Sequence, residues 1–396
     1  MTRTAPLSPE CQLVFRCADA ETEPSEFATL ARAVRDWSRV LWLAEREVAT
    51  AALWRVLRPH AALLPGAVAE HLRKSAMVSD FRMQQLSLGM QRATTTLAAR
   101  GVPHLLLKGA AIGALTDATF RSRPMTDVDL LVHREDQDRA RAAVIDSGWP
   151  ETTDPVLLEL LQDAHHLPHF VDPQMPGVRL ELHLSLLPRD QPFSFDESLL
   201  WRDARAAPEP FIGALLPSRE HLVLHTCVHF AWQHTMHFGA WRTFRAVSAI
   251  TRAPGFDWDG LVRTAHDARA ATSCYWTLRL ASRLSGIVVP DRVLAHLAPP
   301  TAEWVREALE RHFVAAIAMG EGPVSPSIQV TRLLWRTALR PKWSGHRDPG
   351  RSDPEKRWER ARGTLSTETF AERVVRHLEG YSTWWSFLTR TLLRRP

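Results

Sequence analysis

The stretch HLLLKGAAIGALTDATFRSRPMTDVDLLV, residues 104–132, decides the fold that the sequence predicts. A short apolar run leads to Lys108 and Gly109, and a small-residue segment able to start a helix follows the glycine. A second apolar run, residues 130–132, comes directly after Asp127 and Asp129. Short apolar runs separated by a glycine turn and a helical segment are typical of a strand–helix–strand unit. We expect the rest of the chain to be arranged around this unit.

The two aspartates of the second strand are expected on one face of it. Successive side chains of a strand point to opposite faces, so Asp127 and Asp129 point the same way and Val128 points into the core. Two carboxylates on one face repel each other unless a cation lies between them. Mg²⁺ is the simplest such cation, because it binds carboxylate and phosphate oxygens together.

A third carboxylate, which a two-metal site needs, is available in the segment GVRLELHLS, residues 177–185. Its leucines and valine alternate with polar residues, so Glu181 and His183 share the polar face of an amphipathic strand. We therefore predict that Asp127, Asp129 and Glu181 are the catalytic carboxylates and that they hold two Mg²⁺ ions, with Mn²⁺ as a substitute.

The turn at Lys108 and Gly109 is the predicted phosphate-binding part of the site. A helix that starts after Gly109 points free backbone N–H groups, beginning with Ala110, and a positive dipole end at an anion. Lysine is scarce in this chain, since only four of its 49 basic residues are lysines, and one of them stands at this turn. Arg121 and Arg123, just before the aspartates, are further candidates for binding phosphate.

Strand, glycine turn, helix and a strand with Asp-x-Asp together predict a metal-dependent site for nucleotidyl transfer. The segments LLKG, RPMTDVDLLV and LELH resemble the uncharacterised nucleotidyltransferase family of the DNA-polymerase-β-like superfamily, over roughly residues 30–258. The resemblance implies Asp127 and Asp129 as metal ligands and Glu181 as the third carboxylate. It also implies that Lys108 and Gly109 replace the Gly-Ser turn of the superfamily; relatives tend to have an acidic residue near Ala246, which this chain lacks.

The predicted fold class is α+β: a polymerase-β-like nucleotidyltransferase core with a small mixed sheet, flanked by helical domains. Apolar residues recur at three- and four-residue steps through most of residues 26–99 and again after residue 218. We expect an N-terminal helical region at residues 1–99, the catalytic core at 100–207 and a C-terminal helical domain at 208–396.

Histidines are the other candidate functional groups. His183 is predicted to line the nucleotide or acceptor pocket, and a histidine there could act as a general base. His221, His225 and His229 follow at four-residue steps and share one face of a helix that Ser218 caps. That face is open to three interpretations: packed and hydrogen-bonded histidines, a polar surface towards the cleft, or a zinc site.

Composition limits the class of protein. The chain has 396 residues, 45% of them hydrophobic and 23% charged, and a net charge of +5. These values are ordinary for a soluble globular protein and are no signature of nucleic-acid binding. Four cysteines without metal or redox spacing, and no apolar stretch of about 20 residues, predict a cytoplasmic protein without a membrane span.

The sequence thus predicts an ATP- or other NTP-binding transferase that moves a nucleoside monophosphate, or a related phosphoryl group, to an acceptor hydroxyl. The acceptor is expected to be a small molecule or a peptide, because members of the resembled family often occur beside biosynthetic genes for peptide natural products. Two alternatives remain: a toxin-like nucleotidyltransferase that acts on tRNA or protein, and a non-catalytic binding protein on the same fold. Oligomeric state is left open.

Overall fold

The centre of the fold is one mixed sheet. The computed structural model describes residues 7–19, 21–116, 124–152, 165–187, 193–234, 236 and 239–319. Within them a six-stranded sheet has the order β3-β4-β2-β1-β6-β5. Its strands are β1 (His104–Leu106), β2 (Val128–Val132), β3 (Phe170–Val171), β4 (Arg179–His183), β5 (Arg205–Ala206) and β6 (Ala214–Leu216). The α+β class is therefore confirmed.

The pairing of β2 places the predicted carboxylates next to each other. β2 runs antiparallel to β1 and parallel to β4. In the register of β2 with β4, Asp129 lies opposite Glu181 and Leu131 lies opposite His183. Residues 52 positions apart in the chain thus become lateral neighbours, on strands about 5 Å apart.

The two faces of the sheet differ as the alternation of the sequence predicts. Val128 and Leu130 of β2, with Leu180 and Leu182 of β4, are buried in the main apolar core. The opposite face has a separate small apolar cluster of Leu105, Leu107, Leu131, Leu186 and Leu200. Asp129, Glu181 and His183 alternate with the core residues and so belong to this second face.

The turn residues DPQMPG, 172–177, predict an antiparallel hairpin of residues 165–171 with 178–187. The structure confirms the hairpin, with shorter strands. β3 pairs antiparallel with β4. Asp172, at the start of the turn, is fully buried and pairs with Arg92. Its other oxygen accepts the backbone N–H groups of Gln174 and Met175 at 2.8 and 3.1 Å. A buried carboxylate needs such partners, and together they fix the turn against the long N-terminal helix.

Helices precede the sheet and pack against it. They are α1 (Pro9–Arg16), α2 (Pro24–Ala33), α3 (Trp37–Arg46), α4 (Thr50–Leu57) and α5 (Gly66–Ala99). Ser8 caps α1 and Asp36 caps α3, each by accepting a backbone N–H. The 34-residue α5 contacts β2 and also the helix after it, α7 (Gln137–Asp146). This long helix therefore packs both against the strand of the aspartates and against α7.

Further helices come after β4 in the chain. They are α8 (Glu197–Arg202), α9 (Arg219–Val228), α10 (Ala240–Thr251), α11 (Trp258–Asp267), α12 (Ala271–Ser285), α13 (Asp291–Leu297) and α14 (Glu303–Met319); α6 (Lys108–Thr116) lies between β1 and β2. Ser218 caps α9 as predicted. The periodicity of residues 256–297 predicts two helices. The structure has three there, because Gly286, at φ +74°, ends α12 and Pro290 precedes α13.

The domain limits at residues 99/100 and 207/208 stay a prediction. The stretch from residue 320 to the end of the predicted C-terminal domain lies outside the described residues. Among the helices that the structure describes, none has the combined length and apolar character needed to cross a bilayer.

Gly89 offers a test of how α5 packs on the sheet. A Cβ at Gly89 would lie 2.6 Å from Val178 Cγ1 and 3.1 Å from Asp172 Oδ2. Replacing a helical glycine by alanine ordinarily stabilises by about 1 kcal/mol, but overpacking costs roughly 1–3 kcal/mol. We expect Gly89→Ala to lower the free energy of unfolding, measured by urea denaturation.

The matched control is Gly66→Ala in the same helix, where no atom lies within 4 Å of the added Cβ. That variant should be neutral or slightly stabilised. Equal effects of the two substitutions would contradict the close approach of α5 to the hairpin.

Candidate metal and nucleotide site

The turn between β1 and α6 holds Lys108 in an unusual conformation. Lys108 has φ +44°, in the left-handed region that a residue with a side chain seldom adopts. The preceding N–H, that of Leu107, donates to the carbonyl of Asp129 at 2.9 Å and so ties the turn to β2. Conformations of this kind cost roughly 1–3 kcal/mol and are concentrated at functional sites.

The helix begins at Lys108, not after Gly109 as the sequence indicated. The N–H of Ala111 donates to the carbonyl of Leu107 at 3.1 Å, so the amides of Gly109 and Ala110 come before the first hydrogen bond within the helix. A helix leaves its first N–H groups without internal partners and suited to an anion. Gly109 thus lies inside the first turn of the helix, and phosphate binding by these amides stays a prediction.

Asp129 is the most enclosed carboxylate of the site, with 1% of its surface exposed. Its Oδ1 accepts from Lys108 Nζ at 2.7 Å and from His183 Nε2 at 2.9 Å. His183 Nε2 also lies 3.6 Å from Glu181 Oε2. One ligand atom each of Asp129, Glu181 and His183 lies within 4.8 Å of the others, so the three side chains could hold one metal ion.

Asp127 lies just before β2 and outside that group of three. Its Oδ1 accepts from Thr126 Oγ1 at 3.0 Å. Burial, followed by the negative charges of Asp129 and Glu181, raises the pKa of Asp127 to about 6. The predicted triad is thus arranged with Asp129 and Glu181 side by side and Asp127 close enough to repel both; its part as a metal ligand stays a prediction.

The electrostatics of the site favour a cation. Burial opposes the charge of Asp129, but Lys108 and His183 more than offset it, so the pKa of Asp129 is lowered. Burial likewise opposes the charge of Lys108, and Asp129 with Glu181 raises the pKa of this lysine. Three carboxylates still outnumber the Lys108 ammonium, and oxygen donors with one imidazole nitrogen suit a divalent metal. The residues present therefore fit a nucleotidyltransferase metal site.

A group of histidines encloses the same site. The rings of His165 and His166 lie 5.3 and 5.4 Å from the ring of His183. Burial lowers the pKa of His165 to about 2, and it lowers that of His225 on α9 to about 3 with a further contribution from Lys108. Burial also holds the pKa of His229 well below its ordinary value. Burial therefore favours the neutral form of His165, His225 and His229.

The structure bears on all three interpretations of the α9 histidines. His225 acts electrostatically on the site, as a face turned towards the cleft would. His221 instead pairs with Ser218 Oγ at 3.0 Å and packs against Phe195. Within the described residues these histidines are not part of a group able to hold a metal ion, and His221 is engaged with Ser218. The zinc interpretation is not supported.

The sequence placed His183 in the nucleotide pocket but did not assign it a contact with Asp129. The signal was present, since Glu181 and His183 are two residues apart on one strand face. The parallel register of β2 with β4, which the sequence does not reveal, brings His183 to Asp129. Arg121 and Arg123, the further phosphate candidates, lie outside the described residues.

A family model described as an uncharacterised nucleotidyltransferase matches residues 33–286, well over half of the chain. The match includes every residue of the site described above. No curated protein and no solved structure matches the chain.

The pair of Lys108 and Asp129 can be tested by a double-mutant cycle. Removing one partner of a buried pair costs roughly 3 kcal/mol, because a charge is left without compensation. We expect Lys108→Met to lower the free energy of unfolding by about that amount, and Lys108→Met with Asp129→Asn to recover part of the loss. Chemical denaturation of the four proteins measures the coupling energy.

Arg100 and Asp146 provide the control cycle, as they form an ion pair at 3.1 Å with more than half of each side chain exposed. Its coupling should stay below about 1 kcal/mol. A coupling energy between Lys108 and Asp129 no larger than that of the control would show that burial does not strengthen this ion pair.

Proposed function

The chain belongs to the uncharacterised nucleotidyltransferase family, and from that membership we propose that it is a Mg²⁺-dependent enzyme that transfers a nucleoside monophosphate from an NTP to an acceptor hydroxyl. The observation that carries the proposal is the convergence of Asp129, Glu181 and His183 within 4.8 Å beside the first turn of α6. Carboxylates this close repel one another unless a cation lies between them, which supports a bound metal ion.

Asp127, Asp129 and Glu181 are the proposed metal ligands, for two Mg²⁺ ions or for Mn²⁺. Support comes from the raised pKa of Asp127, which reflects burial first and then repulsion by Asp129 and Glu181 that a bound cation would relieve. Such ions, when bound, polarise the phosphates and neutralise the charge of the leaving group. His183 holds Asp129 through its hydrogen bond at 2.9 Å and so fixes the direction of that carboxylate.

The triphosphate is proposed to bind at the first turn of α6. The amides of Gly109 and Ala110 precede the first hydrogen bond of the helix and suit phosphate oxygens. The ammonium of Lys108, half-buried beside Asp129, supplies positive charge at the same place. Arg121 and Arg123 are proposed to add to it, and His183 to line the nucleotide pocket. ATP is the first nucleotide to test.

The reaction requires an in-line displacement at the α-phosphorus. The acceptor oxygen forms a bond to this phosphorus, the bond from it to the bridging oxygen of the β-phosphate breaks, and pyrophosphate leaves with the electron pair. The hydroxyl proton passes to solvent. His165 and His225, with pKa values of about 2 and about 3, are too weakly basic at pH 7 to retain it. Positioning and electrostatics then provide most of the catalysis.

A small molecule or a peptide is the proposed acceptor, in the tailoring of a peptide natural product. The modest net charge of +5 over 396 residues supports an acceptor other than nucleic acid. A cytoplasmic location is proposed as well, because all four cysteines are buried free thiols, which suits a reducing compartment.

Turnover is tested with each α-labelled NTP and Mg²⁺, by following pyrophosphate release and label on the acceptor. Asp129→Asn and Glu181→Gln should each lower the rate by at least roughly 100-fold, because charge stabilisation at the transferred phosphoryl group is lost. Asp146→Asn, at an exposed carboxylate, is the control and should keep full activity. A turnover of Asp129→Asn equal to wild type would remove Asp129 from the mechanism.

Metal binding is tested without turnover. Free Mn²⁺ has a characteristic electron paramagnetic resonance signal, which decreases as the protein binds the ion. We expect Glu181→Gln to weaken Mn²⁺ binding and His183→Gln to weaken it by roughly 10-fold or more, as loss of a group that orients a ligand does. If all variants bind Mn²⁺ as the wild type does, the ion lies elsewhere.

A further inference from the structure

Two concave sites that the described residues form differ in charge. A cavity of about 580 Å³ beside His133 and Trp201 has one arginine and one glutamate in its wall, so neither sign of charge is in excess. A groove of about 380 Å³ lies between α4 and α5, and its wall has three arginines and one aspartate. The groove is therefore suited to a ligand with negative charge.

An apolar stripe on α5 borders this groove. Met77 lines the groove, and Met77, Phe81 and Leu88 follow one another at steps of four and seven residues. They therefore share one face of the helix over about 16 Å, and Val78 widens this face. The exposed fractions of Met77, Val78 and Phe81 are 60%, 70% and 63%. Exposed apolar side chains that lie together in this way mark a surface for interaction with another molecule.

Basic side chains lie on both sides of the stripe. Arg58 and Arg73 are in the wall of the groove, on the side that faces α4. Arg82 directly follows Phe81, and one position turns a helix by about 100°, so Arg82 lies on the side away from the groove. The stripe thus has positive charge on either side of it.

The carboxylates near the stripe already have basic partners. The pairs are Asp80 with Arg55, Glu70 with Arg73 and Lys74, and Glu45 of α3 with His71. Arg58 and Arg82 are exposed, and neither is in an ion pair with a described residue. The charge that has no partner on this surface is therefore positive.

We propose that the α4–α5 surface, which consists of Arg58, Met77, Val78, Phe81 and Arg82, binds an acidic amphipathic helix of a partner polypeptide. An amphipathic helix places apolar side chains that are three or four positions apart into a groove of this kind. Its apolar side chains cover the stripe, and its carboxylates pair with the two arginines that lack an ion pair. The partner thus supplies the sign of charge that the surface lacks.

The engaged carboxylates favour a helix over an anionic membrane as the occupant. A membrane presents negative charge over its whole surface, so it would also approach Glu70 and Asp80 and be repelled by them. A helix presents its carboxylates at separate positions, which can lie beside Arg58 and Arg82 and avoid the two acids. The concave shape of the groove also suits the convex side of a helix.

The first experiment measures peptide binding to the full chain. The probe is a fluorescent helical peptide of about 18 residues, long enough to cover the stripe, with leucines three and four positions apart and glutamates beside them. Fluorescence anisotropy at low ionic strength follows its binding. We expect this peptide to bind, and the same peptide with lysines in place of the glutamates to bind at least about tenfold more weakly. A scrambled peptide without the leucine stripe should also lose at least about tenfold.

Phe81→Ser tests whether the stripe is the contact. It should weaken binding of the glutamate peptide about tenfold or more, because a phenylalanine contact is lost. Val288→Ser is the matched control, since Val288 is 75% exposed between α12 and α13 and does not line the groove. It should leave binding unchanged. Wild-type affinity in Phe81→Ser, or no binding of the peptide to the wild type, overturns the proposal.

A charge reversal tests the two arginines. Arg58→Glu combined with Arg82→Glu should reverse the preference, so that the lysine peptide binds more tightly than the glutamate peptide. The control is Arg134→Glu, at an exposed arginine outside the surface, which should keep the wild-type preference. The difference between the two peptides should shrink as salt is added. An unchanged preference for the glutamate peptide in the double variant contradicts the proposed pairing.

Two measurements separate other occupants of the surface. Sedimentation with phosphatidylglycerol vesicles tests a membrane, and light scattering over a range of protein concentrations tests a second copy of the chain. We expect neither vesicle binding nor self-association that Phe81→Ser abolishes. If the wild type binds vesicles or forms a dimer and Phe81→Ser does not, the surface serves that contact and the assignment to an acidic helix is wrong.

Discussion

The candidate site depends on the two hydrogen bonds that Asp129 Oδ1 accepts. A carboxylate with 1% exposure needs partners, and Lys108 and His183 supply them from α6 and β4. The contact therefore joins the strand of the aspartates, the first turn of the helix and the neighbouring strand. It also explains why Lys108 accepts a left-handed backbone, since this conformation directs the chain from β1 into α6 while the ammonium reaches Asp129.

The parallel pairing of β2 with β4 determines which side chains are neighbours in the site. It sets Asp129 beside Glu181 and Leu131 beside His183. Helices on the other side of the sheet, α5 and α6 among them, bury the opposite face of these strands. The candidate catalytic groups thus lie on one rigid surface, which favours precise positioning of reacting atoms.

The histidines around the carboxylates contribute polarity without charge. His165 and His225 are buried, and burial keeps their pKa values at about 2 and about 3. Protonated imidazoles at these places would neutralise the carboxylates and compete with a divalent cation. Neutral ones leave the negative field of Asp127, Asp129 and Glu181 in place, and they can accept hydrogen bonds from a substrate.

The sequence by itself determined the local features: the buried and polar faces of β2 and β4, the hairpin turn, the Ser218 cap and the residue types of the site. These follow from the periodicity and chemistry of neighbouring residues. Tertiary structure alone decided the register that joins Asp129 to His183, two residues that are 54 positions apart in the chain. It also decided the start of α6 at Lys108 and the cavity beside His133 and Trp201. Such features arise from contacts between distant segments, which no local pattern encodes.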